Sequence, residues 1–380
     1  QTQGIALSFD PALCFVDEEF GTVVQAPLLA EPGEGGSERR VATTLGEGTR
    51  IGAFALDRKV GEGGFGEVWQ ACQEQPVQRE VAVKVLKTGL HSQRALARFE
   101  IEQQALARLD HPHISRFFDG GTTPDGRPWF AMEWIEGRSL TQFCEETNAT
   151  LEERLDLFRQ VCEAVHHAHQ KGIIHRDLKP SNVMVSTAHE SPVVKVIDFG
   201  IARAIEDPDL DRTQLTRAEE IVGTPASMSP EQAAGTGGAE LDARSDVYGL
   251  GVLLYELLSG QLPFDSKLPP DELRRQIREV DPRKPSLRVE SATVARQLKG
   301  DLDWITMRCL RKDPEQRYAS VSALRRELER HANDEPVDAG PPEWSYRMGK
   351  FWRRNKGAIV SAAVIALSLV AGTIISVTQA

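Results

Sequence analysis

Residues 175–182 read HRDLKPSN, setting Asp177 beside Arg176 and Lys179 and placing an amide, Asn182, five positions after the aspartate. A carboxylate among cations can take a proton from a hydroxyl while the lysine stabilises negative charge growing on a neighbouring group. The same residue types also favour exposed turns, so the stretch alone reads as well as a solvated loop. Twenty-one residues beyond Asp177, VIDFG (196–200) closes an apolar run on Asp198, Phe199 and Gly200. A carboxylate at a strand end before a turn glycine suits a hard divalent cation, and Asn182 offers a second oxygen.

Two further stretches bear on what such a group would act upon. GEGGFG (61–66) puts glycines at 61, 63 and 66 between strand-like segments, where a bare backbone can approach a phosphate closely. A plain glycine hairpin is the alternative. A strand rather than a helix follows, which excludes a dinucleotide-binding βαβ unit, and the Gly-Lys-Ser/Thr ending of a P-loop is missing. Lys84, in VAVK, is either an outward-facing strand charge or half of an ion pair with Glu102 on the next helical segment. Such a pair would hold the ammonium near nucleotide phosphates. Glu100, on a different face, is the alternative partner.

The elements that must position these groups follow from periodicity. FALDRKVGEGGFGEVWQAC (54–72) and REVAVKVLK (79–87) alternate as hairpin strands do, and RPWFAMEWI (127–135) reads as another strand. Helical spacing marks 92–110, 151–172, 245–260, 270–280, 300–312 and 320–332. A small strand-rich lobe followed by a larger helical one is an α+β arrangement with a cleft between. At 380 residues the chain exceeds what one core usually serves. A formal charge of −11 argues against nucleic acid as a partner. Five scattered cysteines suggest neither a disulfide framework nor a zinc site and fit a reducing compartment. Gln1 opens the chain without a secretory signature, as in a processed protein.

Taken in order, GEGGFGEV, VAVK, HRDLKPSN, DFG and SPE resemble the signature of the protein kinase superfamily over residues 54–332. The resemblance implies a two-lobed protein kinase fold, strand-rich N-lobe and helical C-lobe, using ATP and Mg²⁺. It makes Asp177 the catalytic base, Lys179 a charge stabiliser, and Lys84, paired with Glu102, the contact to the α/β-phosphates. Asn182 and Asp198 would hold magnesium. The nucleotide loop would comprise Val60, Gly61, Glu62, Gly63, Gly64, Phe65 and Gly66. Val68, Ala82 and Met184 would sandwich the adenine, with Met132 as gatekeeper and Glu133 and Ile135 as backbone hinge contacts. Lys179 is similar to the serine/threonine class, so the expected substrates are protein Ser and Thr hydroxyls. Asp246 resembles the buried anchor of the catalytic loop, and Arg317 the structural partner of Glu231. Ser229 departs from the usual alanine of A-P-E, and Ser227 stands where an aromatic is common, which puts details of peptide docking in doubt. With Lys84, Asp177, Asn182 and Asp198 all present, a catalytically silent nucleotide-binding scaffold is the minor alternative.

The expected organisation is a flexible segment (1–50), an N-lobe (51–136), a C-lobe (137–332), a basic juxtamembrane linker (333–356) and a transmembrane helix (357–377). That last run holds 21 residues without a charge, about 31 Å as a helix, close to the hydrocarbon thickness of a bilayer. Arg347, Lys350, Arg353, Arg354 and Lys356 precede it, so a single-pass protein of the cell membrane with a cytoplasmic kinase is expected. Ser368, Gly372 and Ser376 could form a small-residue face for a homodimer. MSPEQ (228–232), the single span and SYRMGKFWRRNKG together are similar to bacterial membrane-anchored serine/threonine kinases, and the run 97–137 is similar to a planctomycete-type group. Arg176 before the catalytic aspartate goes with a phosphorylated activation segment; Thr213 or Thr216 is the expected autophosphorylation site, and Thr224 a substrate-docking residue.

Overall fold

A computed structural model describes residues 45–63, 66–87, 93–188, 191–199, 225–235 and 242–355, with positions 361 and 365; at 93–98 and 353 it describes the backbone alone. The N-lobe comprises β1 (Arg50–Ile51), β2 (Phe54–Glu62), β3 (Gly66–Gln73), β4 (Arg79–Leu86), α1 (Gln93–Ala107), β5 (Phe117–Thr122) and β6 (Pro128–Glu133). Its six strands form one antiparallel sheet in the order β1-β2-β3-β4-β6-β5. Alternation along β4 explains the two faces of this sheet. Val81, Val83 and Val85 pack with Trp69, Ala71, Trp129 and Ala131. The intervening Ala82 and Lys84 point the other way, opposite Met132 and Phe130, with Val68 across from Lys84.

The C-lobe begins with β7 (Gly137–Ser139), α2 (Leu140–Glu146) and α3 (Leu151–Gln170), and a 3-10 turn at Pro180–Asn182 leads into β8 (Val183–Ser186) and β9 (Val193–Val196). Strands β7, β8 and β9 form a second small sheet, tied to the N-lobe side by the bridge Ile114–Val196. Then come α4 (Pro230–Ala233), α5 (Ala243–Ser259), α6 (Pro270–Glu279), α7 (Ala292–Leu298), α8 (Asp301–Cys309), α9 (Val321–Ala332) and α10 (Trp344–Arg354).

Helix α3 starts where a capping box fixes it: Thr150 Oγ1 accepts from Glu153 N, and Glu153 Oε2 accepts from Thr150 N at 2.7 Å. The Thr150 backbone amide, and the Thr150 hydroxyl that also donates to Glu153 Oε2 at 2.9 Å, hold the Glu153 carboxyl below its ordinary pKa. Helix α5 is buried on nearly every side, with Val247, Leu250, Leu253, Leu254 and Leu257 in the main core. It ends at Gly260, whose φ of 70° is the left-handed cap that favours glycine. Gly251 is required by packing, since a Cβ there would lie 2.5 Å from Cys309 Cβ on α8.

The segment expected as a linker carries α10, which docks on the C-lobe. Asp301 accepts from Tyr346 Oη at 2.8 Å and Lys350 Nζ at 2.6 Å, and bonds His331 Nδ1 at 3.0 Å. Burial would raise the Asp301 pKa, but these three partners outweigh it and hold it at about 2. Among the described residues no helix is long and apolar enough to cross a membrane; the 357–377 run lies almost wholly outside them.

Candidate active site

The catalytic loop is held from below by Asp246 on α5. Its carboxylate, buried, accepts from the backbone amides of His175 and Arg176, each at 2.8 Å, and bonds His169 Nε2 at 2.7 Å. The anchoring role expected of Asp246 is thus visible as geometry. The His175 ring, fully buried, lies 3.0 Å from Ile197 O through Nε2 and 3.3 Å from Asp177 N through Nδ1. Both contacts fit the neutral tautomer protonated at Nε2. The ring also stacks against Phe199, centroids 4.5 Å apart, which ties the VIDFG turn to the HRD turn. Arg176 has φ 66° and Asp198 φ 60°, left-handed conformations that a non-glycine residue keeps only when its surroundings hold it there. For Arg176 the hold comes from Asp246 and from Gln232 Nε2, which donates to Arg176 O at 2.7 Å.

Asp177 is oriented through one carboxylate oxygen. Lys179 Nζ donates to Oδ2 at 2.7 Å and Asn182 Nδ2 donates to Oδ2 at 3.2 Å and to Asp177 O at 2.8 Å. Oδ1 is left to accept a proton.

Lys84 and Asp198 meet across the cleft, Nζ to Oδ2 at 2.8 Å, although 114 residues separate them. The expected Lys84–Glu102 pair is therefore corrected: Lys84 takes its anion from Asp198, and Glu102 on α1 forms no ion pair with it. Burial lifts the Glu102 pKa to about 7 despite the nearby Arg176 charge. Glu100, the alternative partner, is exposed on α1.

Of the remaining expected nucleotide contacts, Val68, Ala82 and Met132 share the Lys84 face of the N-lobe sheet, while Ile135 follows β6 and Met184 stands on β8 of the second sheet. Ala82 and Met132 are buried cross-strand neighbours, and Val68, Glu133, Ile135 and Met184 are half-buried. The Glu133 amide already donates to Arg116 O at 2.8 Å, so Glu133 can present only its carbonyl. Val60 and Glu62 are exposed, and Gly61 and Gly63 have open space where a side chain would stand. Gly66 has a different cause: a Cβ there would lie 2.2 Å from Val85 O, so it permits the close β3–β4 pairing. Gly64 and Phe65 lie outside the described residues, as do Gly200, Thr213, Thr216 and Thr224.

A divalent cation fits the donor set. Asp198 Oδ1 is buried with no hydrogen-bond partner, an orphan that a hard cation would satisfy. Asn182, also buried, gives its amide N–H groups to Asp177 and keeps its carbonyl oxygen as an acceptor.

Behind the site, Arg317 donates from both terminal nitrogens to the two oxygens of Glu231, each at 2.8 Å. Burial would raise the Glu231 pKa, yet the guanidinium holds it at about 2. Ser229, the departure from A-P-E, caps α4: its Oγ accepts from Gln232 N, and Gln232 Oε1 accepts from Ser229 N at 2.9 Å. The S-x-x-Q spacing was the sequence signal for this cap. Gln232 is a residue that sequence reasoning missed, because its bond to Arg176 O joins segments 56 residues apart.

The sequence model of the protein kinase domain family matches residues 54–328, which include every group just described. The chain belongs to the protein kinase family. Over 291 residues this kinase is 39% identical to the serine/threonine-protein kinase PknB of Mycobacterium tuberculosis, covering 75% of the chain and 44% of that protein. It is 38% identical over 283 residues to the serine/threonine-protein kinase pkn3 of Myxococcus xanthus, covering 73% and 49%. The chain thus spans less than half the length of these curated relatives. The crystal structure of the M. tuberculosis PknI kinase domain matches with a TM-score of 0.58 at 26% identity, covering 76% of this chain and 99% of that one. The two-lobed kinase fold of the bacterial serine/threonine type agrees with the architecture read from the sequence.

Proposed function

We propose that this chain is an ATP- and Mg²⁺-dependent kinase of protein serine and threonine hydroxyls. The observation that carries the reading is the Asp177 carboxylate, fixed through Oδ2 by Lys179 and Asn182 while Oδ1 stays open. A hydroxyl brought to Oδ1 would pass its proton there as its oxygen attacks the γ-phosphorus, the bond to the β–γ bridging oxygen breaks and ADP leaves, and Lys179 would offset the charge on the transferred group. Magnesium, when bound by Asp198 and Asn182, supplies charge neutralisation at the phosphates. Lys84 engages the second Asp198 oxygen.

The finer reading extends to the cell. The uncharged run 357–377 tethers the kinase to the membrane with the catalytic lobes on the cytoplasmic side, as the basic residues before it support. Autophosphorylation falls on Thr213 or Thr216, and Ser368, Gly372 and Ser376 pair two spans. The run 97–137, similar to a planctomycete-type group, supports that lineage. Incubation with γ-labelled ATP and Mg²⁺, alone and with a generic basic protein, followed by phosphoamino-acid analysis, tests the enzymatic core of this proposal. Label on serine or threonine is expected; label on tyrosine, or ATP binding without transfer, would overturn it.

A further inference from the structure

Helix α10 has two faces with different fates. Tyr346 and Lys350, four residues apart, turn inward onto Asp301, and the Tyr346 ring meets Trp304 edge-on with centroids 5.3 Å apart. Gly340 is tucked beneath them, where a Cβ would lie 3.1 Å from Tyr346 and 3.2 Å from Trp304. Trp344, Met348, Phe351 and Trp352 recur at i, i+4, i+7 and i+8 on the opposite face. Three of these are far more exposed than large apolar side chains normally are: Trp344 at 75%, Phe351 at 51% and Trp352 at 55%.

Charge on α10 and on the C-lobe surface beside it departs from the rest of the molecule. Although the chain carries a net −11, exposed Arg347 on α10 and Lys284, Arg296 and Lys299 on the adjoining C-lobe surface have no carboxylate in ion-pair reach among the described residues. Lys284, Arg296 and Lys299 share one open cleft with Tyr346 and Lys350, about 930 Å³ in volume, and Arg347 stands outside it on α10. The nearby acids are mostly satisfied: Asp303 by Ser286, Asp334 by Lys350 and Glu335 by Arg354. Glu343, at the start of α10, is exposed and has no ion pair among the described residues.

The geometry points to an anionic bilayer surface as the partner of this face: α10 lies in the headgroup region on its aromatic stripe, bolted to the C-lobe through Asp301. An exposed aromatic stripe on a helix that carries Arg347 and docks beside Lys284, Arg296 and Lys299 follows the pattern of an interfacial helix, and the cations match acidic headgroups. The helix also ends two residues before the uncharged run begins, which leaves no length for a loose tether. This rests on the proposed membrane span. It goes beyond it by making residues 344–355 a rigid strut that fixes the orientation of the C-lobe, where a flexible linker would let the kinase tumble.

The full chain, reconstituted in nanodiscs whose lipids carry bromine near the ester end of the acyl chains, tests this by tryptophan quenching. Trp344 and Trp352 are two of six tryptophans, so in discs containing phosphatidylglycerol a loss of up to about a third of the emission is expected. That loss should vanish in the Trp344→Phe/Trp352→Phe variant, which keeps the apolar face. It should shrink at least about twofold in Arg347→Glu/Lys299→Glu, as an electrostatic contact demands. Chain held in the disc with both tryptophans unquenched overturns the docked strut while leaving the span intact. Equal quenching in purely zwitterionic discs overturns the anionic partner. Chain that elutes apart from the discs overturns the span and the strut together.

Discussion

Burial raises the Glu102 pKa from 4.5 to about 7, so the folded chain keeps a proton there that the unfolded chain releases. Stability from this group is complete below about pH 4.5 and is lost as the pH climbs through 7. Glu102→Gln, which cannot ionise, is predicted to gain on wild type in melting temperature between pH 5 and 8, by a margin that grows with pH. Parallel melting profiles would contradict the assignment. The residues of the site were legible in the sequence because their types and short spacings, Asp177 to Lys179 and to Asn182, are local. Their pairings were less so. The sequence offered Lys84 two partners on α1, Glu102 and Glu100, whereas it meets Asp198, 114 residues away, a pairing no spacing encodes. The Asp301 cluster joins positions 301, 331, 346 and 350 from three helices and had no sequence signature at all.

Individual elements transmit these constraints. Gly66 sits where β3 must close on β4, and the Cβ of Gly66→Ala would meet a backbone carbonyl that cannot swing aside. A loss of about 1–3 kcal/mol is predicted from such overpacking, together with weaker ATP binding, since Val68 and Lys84 share that register. Calorimetry and nucleotide titration of the variant check both; unchanged stability would mean the strands need no such approach. Thr150→Ala, which deletes half of the α3 capping box, is predicted to cost about 1 kcal/mol in denaturant unfolding. An unaltered midpoint would show that packing alone starts the helix. Elements with strong periodicity, such as α3 and β4, stood out in the sequence to within a few residues. FFDGGT in β5 did not, because its two glycines and aspartate break any alternation and only pairing with β6 makes it a strand. The short strands β7, β8 and β9 likewise owe their existence to one another.

Across the whole molecule, Arg317 ties α4, which follows the activation segment, to the helical base of the C-lobe. Its side chain is wholly buried, and it also donates to the carbonyls of Arg244, Arg311 and Lys312. Arg317→Met leaves Glu231 buried without its cation, and a destabilisation of about 3–5 kcal/mol at pH 7 is predicted. In wild type the Glu231 contribution is present above pH 4.5 and lost as the pH falls through about 2; urea unfolding of both proteins at pH 7 measures the difference, and equal midpoints would refute it. The lobes, the Asp246 anchor and the Arg317 clamp converge on one open oxygen of Asp177. The most direct measurement is therefore the rate of γ-phosphoryl transfer by Asp177→Asn, with ATP affinity recorded on the same sample. Loss of general-base catalysis predicts a fall of about 10²- to 10⁴-fold with ATP affinity unchanged. Transfer at the wild-type rate would contradict Asp177 as the base and with it the account of the site.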